Sequence, residues 1–248
     1  MSMDRFLYIA MSGAKETMHA QAINNHNLAN ANTDGFRQAL ATADTLPVRG
    51  PGHASRDYTQ IGNDAVDFSK GKMQSTGRDM DIAIEGEGFI AVQGPDGEEG
   101  YTRAGSLHVD AFGLLRTAQG HQVLGDGGPI AIPPAEQIEI GTDGTISVRP
   151  LGVGPEALAA VERIRLVNPD TDELQRGDDG LFRLAEGGEA PADAEVRVVS
   201  GMLEGSNVNT VEALTRMIEL SRHFEMQVKM MDSANTLEQS SNRLLGLG

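Results

Sequence analysis

The chain has 248 residues, with 20 basic against 36 acidic side chains and a formal net charge of −16. That balance argues against a nucleic-acid surface, which rests on clustered Lys and Arg, and a sequence without cysteine has no disulfides or thiolate metal ligands. No apolar run reaches the roughly 18–20 residues that span a bilayer, and MSMDRFLYIAMSGAKETMHA has too short an apolar patch for a cleavable signal, so direct membrane insertion is not expected.

The first predicted element is a helix from Met3 to about Asn32. Phe6, Leu7, Ala10, Gly13, Ala14, Thr17 and Met18 recur at three- and four-residue spacing, and the small residues among them let another helix come close. Its end, NNHNLANANTDGF, holds five asparagines in nine residues. Asparagine is a mediocre helix former because its amide competes for backbone hydrogen bonds. Thr33-Asp34-Gly35 ends the helix with turn chemistry, Gly35 supplying a positive φ.

From 37 to 76, Pro47, Gly50, Pro51, Gly52, Gly62 and Gly71 punctuate a segment without a dominant period, predicted as an extended linker with short strands. A connection that long implies function, mobility or an outside partner. From 77 to 203 the pattern turns to period two, as in Asp81-Ile82-Ala83-Ile84-Glu85, with turn signals at short intervals. Ile138 and Ile140, then Ile146 and Val148, flank Asp143-Gly144 as a hairpin would. Many short strands with Gly turns predict an irregular sandwich or barrel. Gly113-Leu-Leu-Arg-Thr-Ala-Gln-Gly120 is echoed by Gly180-Leu-Phe-Arg-Leu-Ala-Glu-Gly187.

The last element is a helix from Asn207 to Leu245, with Asn207 or Asn209 as its cap. Val211, Leu214, Ile218 and Val228 fall on one face; Met217, Leu220, Phe224 and Met231 on a second; Met226, Met230 and Leu237 on a third. One surface helix needs one apolar stripe, so this one has too many for a single neighbour. With no basic polar face to favour a membrane surface, the expected partners are other subunits.

The predicted architecture is α+β. Residues 1–36 form an N-terminal helix that pairs with a C-terminal helix of 204–248 as a coiled-coil layer, 37–76 are linker, and 77–203 are a central all-β domain. No catalytic, cofactor or metal site is expected. Gly86-x-Gly88 lacks the strand–helix context of a dinucleotide loop, and Asp79, Asp81, Glu85 and Glu87 lack EF-hand spacing. The histidines form no H-x-x-x-H pair, and no Ser stands in a G-x-S-x-G setting.

Several runs resemble the bacterial flagellar rod and hook family. They are Asn27-Leu-Ala-Asn30-Ala-Asn32-Thr-Asp-Gly35-Phe36-Arg37, Gly86-Glu-Gly88-Phe89, Tyr101-Thr-Arg103-Ala-Gly105, Gly201-Met-Leu-Glu204-Gly-Ser-Asn207 and Arg222-His-Phe224-Glu225. His26 stands where that pattern often has Asn. The resemblance implies a structural subunit of the proximal rod, self-assembling through its terminal helices into a hollow axial shaft that transmits torque. It implies partnership with copies of itself, with proximal and distal rod proteins, and with the flagellar type III export apparatus. The implied assembly interface comprises Leu7, Ala10, Ala14, Asn27, Leu28, Asn30, Asn32, Gly35 and Phe36 with Asn207, Val211, Leu214, Met217, Ile218, Leu220, Phe224, Val228 and Met231. In that setting Asn27, Asn30 and Asn32 are expected to bond to the partner helix and neighbouring subunits and fix register. A distal rod protein is the near alternative; a secreted, oligomeric β-domain enzyme or glycan-binding module is the alternative of another class.

Overall fold

The structure, a computed structural model, describes residues 3–47, 57–61, 65–150, 152 and 158–245. The chain divides into two compact units: Met1–Ala31 with Gln38–Asp67 and Val208–Gly248, and Asn32–Arg37 with Phe68–Asn207.

The first unit is built on two helices, α1 (Met3–Ala29) and α2 (Thr210–Leu245). Helix α1 ends as the Asn30 amide bonds to the carbonyls of both His26 and Asn27, the tightening common at a helix terminus. Helix α2 begins at Asn209, whose Oδ1 accepts from the Val211 amide at 3.1 Å and from the Glu212 amide at 3.4 Å. This is an N-cap, with Glu212 at the positive end of the helix. Asn207, the other predicted cap, belongs to the second unit. Where a long connection was predicted, Ala43–Pro47 pairs antiparallel with Asp57–Ile61, and Ala39–Leu40 with Ala65–Val66. Tyr, Thr and Ile in Asp-Tyr-Thr-Gln-Ile are residue types enriched in strands.

The second unit is a set of antiparallel sheets. The largest runs, neighbour by neighbour, Leu174–Arg176, Phe182–Leu184, Glu99–Thr102, Phe89–Gln93, Gln122–Gly125, Leu115–Thr117 and Leu107–Val109. Gly128–Pro129 adds to Gln122–Gly125, and Leu166–Val167 to Phe89–Gln93. Ala135–Ile140, Thr145–Pro150 and Ala159–Arg163 form a second sheet. Ile82–Glu85 pairs with Arg197–Ser200, and Met73–Ser75 with Met202–Glu204. The expected hairpin forms in the expected register: Ile140 faces Ile146 and Ile138 faces Val148, while Asp143 Oδ1 accepts from the Thr145 amide at 3.0 Å. One continuous core, including Ile82, Ile90, Leu107, Leu115, Val123 and Ile146, is fully buried beneath these sheets.

The repeated Gly-Leu-x-Arg motif has a shared physical role. Arg116 Nε bonds to Asp110 Oδ2 at 2.6 Å, and Arg183 to Asp179 Oδ2 at 2.6 Å. In each copy the arginine leaving the turn ties back to an aspartate of that turn, its first residue, Asp110, in one and its third, Asp179, in the other. Short charge-assisted bonds of this kind are among the stronger ones.

Candidate assembly interface

The helix pair divides its residues into an inner seam and an outer face. On α1, Ala10, Ala14, Thr17 and Asn24 are buried; on α2, Ala213 and Ala234 are buried, and Met217, Leu220, Phe224, Gln227 and Met231 are half-buried. Asn24 Nδ2 donates to the Ala213 carbonyl at 2.8 Å, and Thr17 Oγ1 to Gln227 Oε1 at 3.1 Å. Higher numbers on one helix meet lower numbers on the other, so the pair is antiparallel. Gly13 lets the Gln227 side chain approach, since a Cβ there would lie 2.9 Å from its Nε2. The seam is thus made of alanine, glycine, threonine, asparagine and glutamine as much as of large apolar groups.

A second set of bulky residues points away from it. Val211 is 72 % exposed, Leu214 44 % and Ile218 53 %; Tyr8, Met11, Met18, Met226, Met230 and Leu237 are also exposed. Val228 and Leu7 are half-buried. Among the described residues, nine exposed large apolar side chains on two helices exceed the scattered Leu or Met that any surface carries.

The asparagines take three different roles. Asn27 is buried and grips the chain that follows α1: its Nδ2 donates to the Ala39 carbonyl at 2.7 Å and its Oδ1 accepts from the Ala39 amide at 2.8 Å. One amide side chain here satisfies both backbone groups of a residue, as a paired strand would. Asn30 Nδ2 bonds to the His26 carbonyl of its own helix at 2.9 Å. Asn32 is exposed and Leu28 half-buried. The asparagine that reaches the other helix is Asn24, which the sequence reading passed over.

Within the β unit, the family-like runs converge on one buried carboxylate. Glu204 is 1 % exposed. Its Oε1 lies 2.8 Å from Arg37 NH2 and accepts from the Gly71 amide at 2.8 Å; its Oε2 accepts from Arg103 Nε at 2.7 Å. Arg103 spends its other nitrogens on the carbonyls of Gly88 at 2.9 Å, Gly86 at 3.0 Å and Ile84 at 3.3 Å. Burial pushes the Glu204 carboxyl up, but Arg103 and Arg37 beside it pull harder and hold it below the usual carboxylate range. Burial lowers Arg103, with Glu204 opposing.

Backbone bonds complete this junction. The Gly35 amide donates to the Glu204 carbonyl at 2.7 Å, Gly205 to Lys72 at 2.9 Å and Asn207 to Phe36 at 3.3 Å. Asn207 Nδ2 also donates to the Ser69 carbonyl at 3.1 Å. Gly35 has φ +69°, and a Cβ on it would lie 2.3–2.5 Å from the backbone of Arg103 and Ala104. Both its conformation and its packing therefore require glycine. The Arg176 guanidinium lies 4.8 Å from the Phe36 ring and 5.1 Å from the Phe182 ring and donates to the Arg37 carbonyl. Burial lowers its pKa to about 10, and stacking on two aromatic faces offsets part of that desolvation. Gly35, Phe36 and Asn207, grouped in the sequence with the assembly residues, are thus internal parts of this junction. Arg37, Arg103 and Glu204 lay inside the quoted motifs, but sequence could not show that they met.

Among the described residues no group of three or more His, Asp or Glu could hold a metal ion. No described helix is long and apolar enough to cross a membrane.

Three family descriptions match successive parts of the chain: "Flagella basal body rod protein" at residues 7–37, "Flagellar hook protein FlgE/F/G D1 domain" at 83–148, and "Flagellar basal body rod FlgEFG protein C-terminal" at 199–244. The chain belongs to the flagellar basal-body rod protein family, whose members are structural proteins. It is 43 % identical to the flagellar basal-body rod protein FlgF of Salmonella typhimurium and 44 % identical to that of Escherichia coli, in each case over 99 % of this chain and all of the relative. It is also 30 % identical to the rod protein FlgG of Bacillus subtilis, over 95 % of this chain and 97 % of that one.

Proposed function

We propose that this chain is a structural subunit of the proximal flagellar rod, assembled through its helical unit into the axial shaft. The observation that carries the reading is the outward apolar face of Val211, Leu214 and Ile218 on a helix whose other side already packs on α1. A self-contained pair would turn such residues inward. In the shaft that face meets neighbouring subunits, copies of this chain and other rod proteins.

The seam of α2 supports a coiled-coil layer. Ala213, Met217, Leu220, Phe224, Gln227, Met231 and Ala234 are its better-covered positions, spaced alternately four and three apart, which is heptad spacing. Asn24 and Thr17 set the register of that layer from the α1 side, while Leu7, Ala10 and Ala14 supply close approach. The β unit closes as an irregular sandwich or barrel about its own core. Delivery to the shaft runs through the flagellar type III apparatus. A proximal position is favoured over a distal one by identities of 43 %, 44 % and 34 % to three proteins named FlgF, against 30–31 % to those named FlgG, with two further FlgF proteins at 27 % and 29 %.

Deleting the gene in its own bacterium tests this. We expect non-motile cells whose purified basal bodies lack the rod beyond the point of insertion, restored by the wild-type chain. Complete basal bodies in the deletion strain would overturn the reading.

A further inference from the structure

Phe112 is the most exposed large apolar side chain among the described residues, at 89 %, yet the turn that carries it is firmly fixed. Asp110 Oδ1 accepts from the Phe112 amide at 2.8 Å and from the Leu114 amide at 2.9 Å; the Gly113 amide donates to the Asp110 carbonyl at 3.0 Å. Arg116 then clamps the other carboxylate oxygen. All of these bonds use backbone or Asp110, so the turn itself gains nothing from an aromatic at Phe112. What the turn does is hold that ring outward in a fixed place, at little further entropic cost to a partner.

Beside the ring lies a cleft of about 680 Å³, walled by Ala111, Phe112, Ile132, Pro133, Pro134 and Ile138. The charges around it are paired: Asp110 with Arg116, and Glu136 with Arg149 at 3.6 Å. On a chain of net charge −16, two copies repel wherever carboxylates are unpaired, so a contact between copies is favoured at an apolar, charge-paired patch. Knob and cleft lie side by side on the same chain, so every copy carries both halves of a contact.

We infer that Phe112 is a docking knob that seats in the Ile132–Pro134 cleft of a second copy of this chain. Each copy then gives its knob to one neighbour and its cleft to another, a head-to-tail contact that makes a ring where the rotation closes and a filament where it does not. The proposal rests on the rod reading for its setting, in which helices bring copies together, but it concerns a different surface.

The absence of cysteine makes a direct test clean. Ala111→Cys, exposed beside the knob and leaving the Phe112 ring in place, and Pro134→Cys are made singly in the full chain, tagged differently, mixed at a concentration where sedimentation shows self-association, and oxidised. Asp172→Cys, exposed and off the patch, reports random collision. We expect the 111–134 cross-link to exceed the 111–172 cross-link by roughly tenfold, the scale of a single anchoring contact. We also expect Phe112→Ser to leave the thermal midpoint unchanged while weakening association. Cross-links no more abundant than the control, in a chain that still associates, overturn the knob and leave the rod reading standing. A chain that associates under no condition overturns both.

Discussion

The two units solve the problem of burial in opposite ways. The β unit fills its interior with Ile, Val and Leu that are fully buried in a single copy, and satisfies its buried charges internally at Glu204. The helical unit hides alanines, a threonine and an asparagine in its seam and presents valine, leucine, isoleucine and methionine to the outside. A seam of small residues allows close backbone approach but removes little apolar area from water, at about 25 cal/mol per Å². The β unit carries its stability within itself; the helical unit awaits neighbours for much of its own.

The largest expected effect falls on the β unit. Glu204→Gln leaves the Arg37 and Arg103 guanidiniums buried without a counter-charge and should destabilise the unit by about 3–5 kcal/mol. Urea denaturation of the full chain reads this as a lower midpoint for the transition that reports Tyr101 and the β core. A loss under about 1 kcal/mol would mean that water reaches the triad freely. The same carboxylate gives a pH dependence of definite sign. Its folded pKa lies below the ordinary value of 4.5, so its contribution is fully present above that value and is lost as pH falls through the folded pKa. Wild-type stability should therefore drop below pH 4.5, and the Glu204→Gln variant should lack that part of the drop.

Leu115→Ala comes next. Leu115 is fully buried in the core, and truncating a buried leucine costs about 2–5 kcal/mol. The comparison sharpens if the same truncation is made at Leu214, 44 % exposed on α2, where the isolated chain should change by no more than about 0.5 kcal/mol. Equal losses at the two positions would erase the distinction between the units.

Asn24→Ala probes the seam itself. It removes the donor to the Ala213 carbonyl and should cost about 1 kcal/mol, read as faster amide exchange in the first turns of α2. Asn30→Ala removes a bond that stays within α1 and should leave exchange in α2 unchanged.

The sequence made the β region, its turns and the Asp143-Gly144 hairpin legible, because period-two alternation and Gly turns are local signals. It made both helices legible for the same reason. It made part of the seam legible, as the α1 stripe of Ala10, Gly13, Ala14 and Thr17 and the α2 face of Met217, Leu220, Phe224 and Met231, but missed Ala213, Gln227 and Ala234, because hydrophobicity picks out Val211, Leu214 and Ile218 instead. It also missed the Glu204 junction, whose members are separated by up to 167 positions, from Arg37 to Glu204. Pairing at that range is fixed by topology and not by spacing. The asparagine run was visible as an anomaly, but the roles within it were not: Asn24 faces the other helix, Asn27 the following chain and Asn30 its own helix.

The smallest effect on the fold should have the largest effect on assembly. Ile218 is 53 % exposed, so Ile218→Asp places a carboxylate in water and should shift the monomer's stability by no more than about 0.5 kcal/mol. In the shaft the same carboxylate would be buried against apolar neighbours, where an unpaired charge costs several kcal/mol per ion. Cells carrying Ile218→Asp should contain folded protein but fail to build the rod, and the purified chain should stay monomeric at concentrations where wild type associates. Lys229→Asp, also an exposed α2 position but polar already, controls for added negative charge and should assemble. If Ile218→Asp assembles as well as Lys229→Asp does, the outward apolar face is not where neighbours meet, and the contrast between the two units loses its functional meaning.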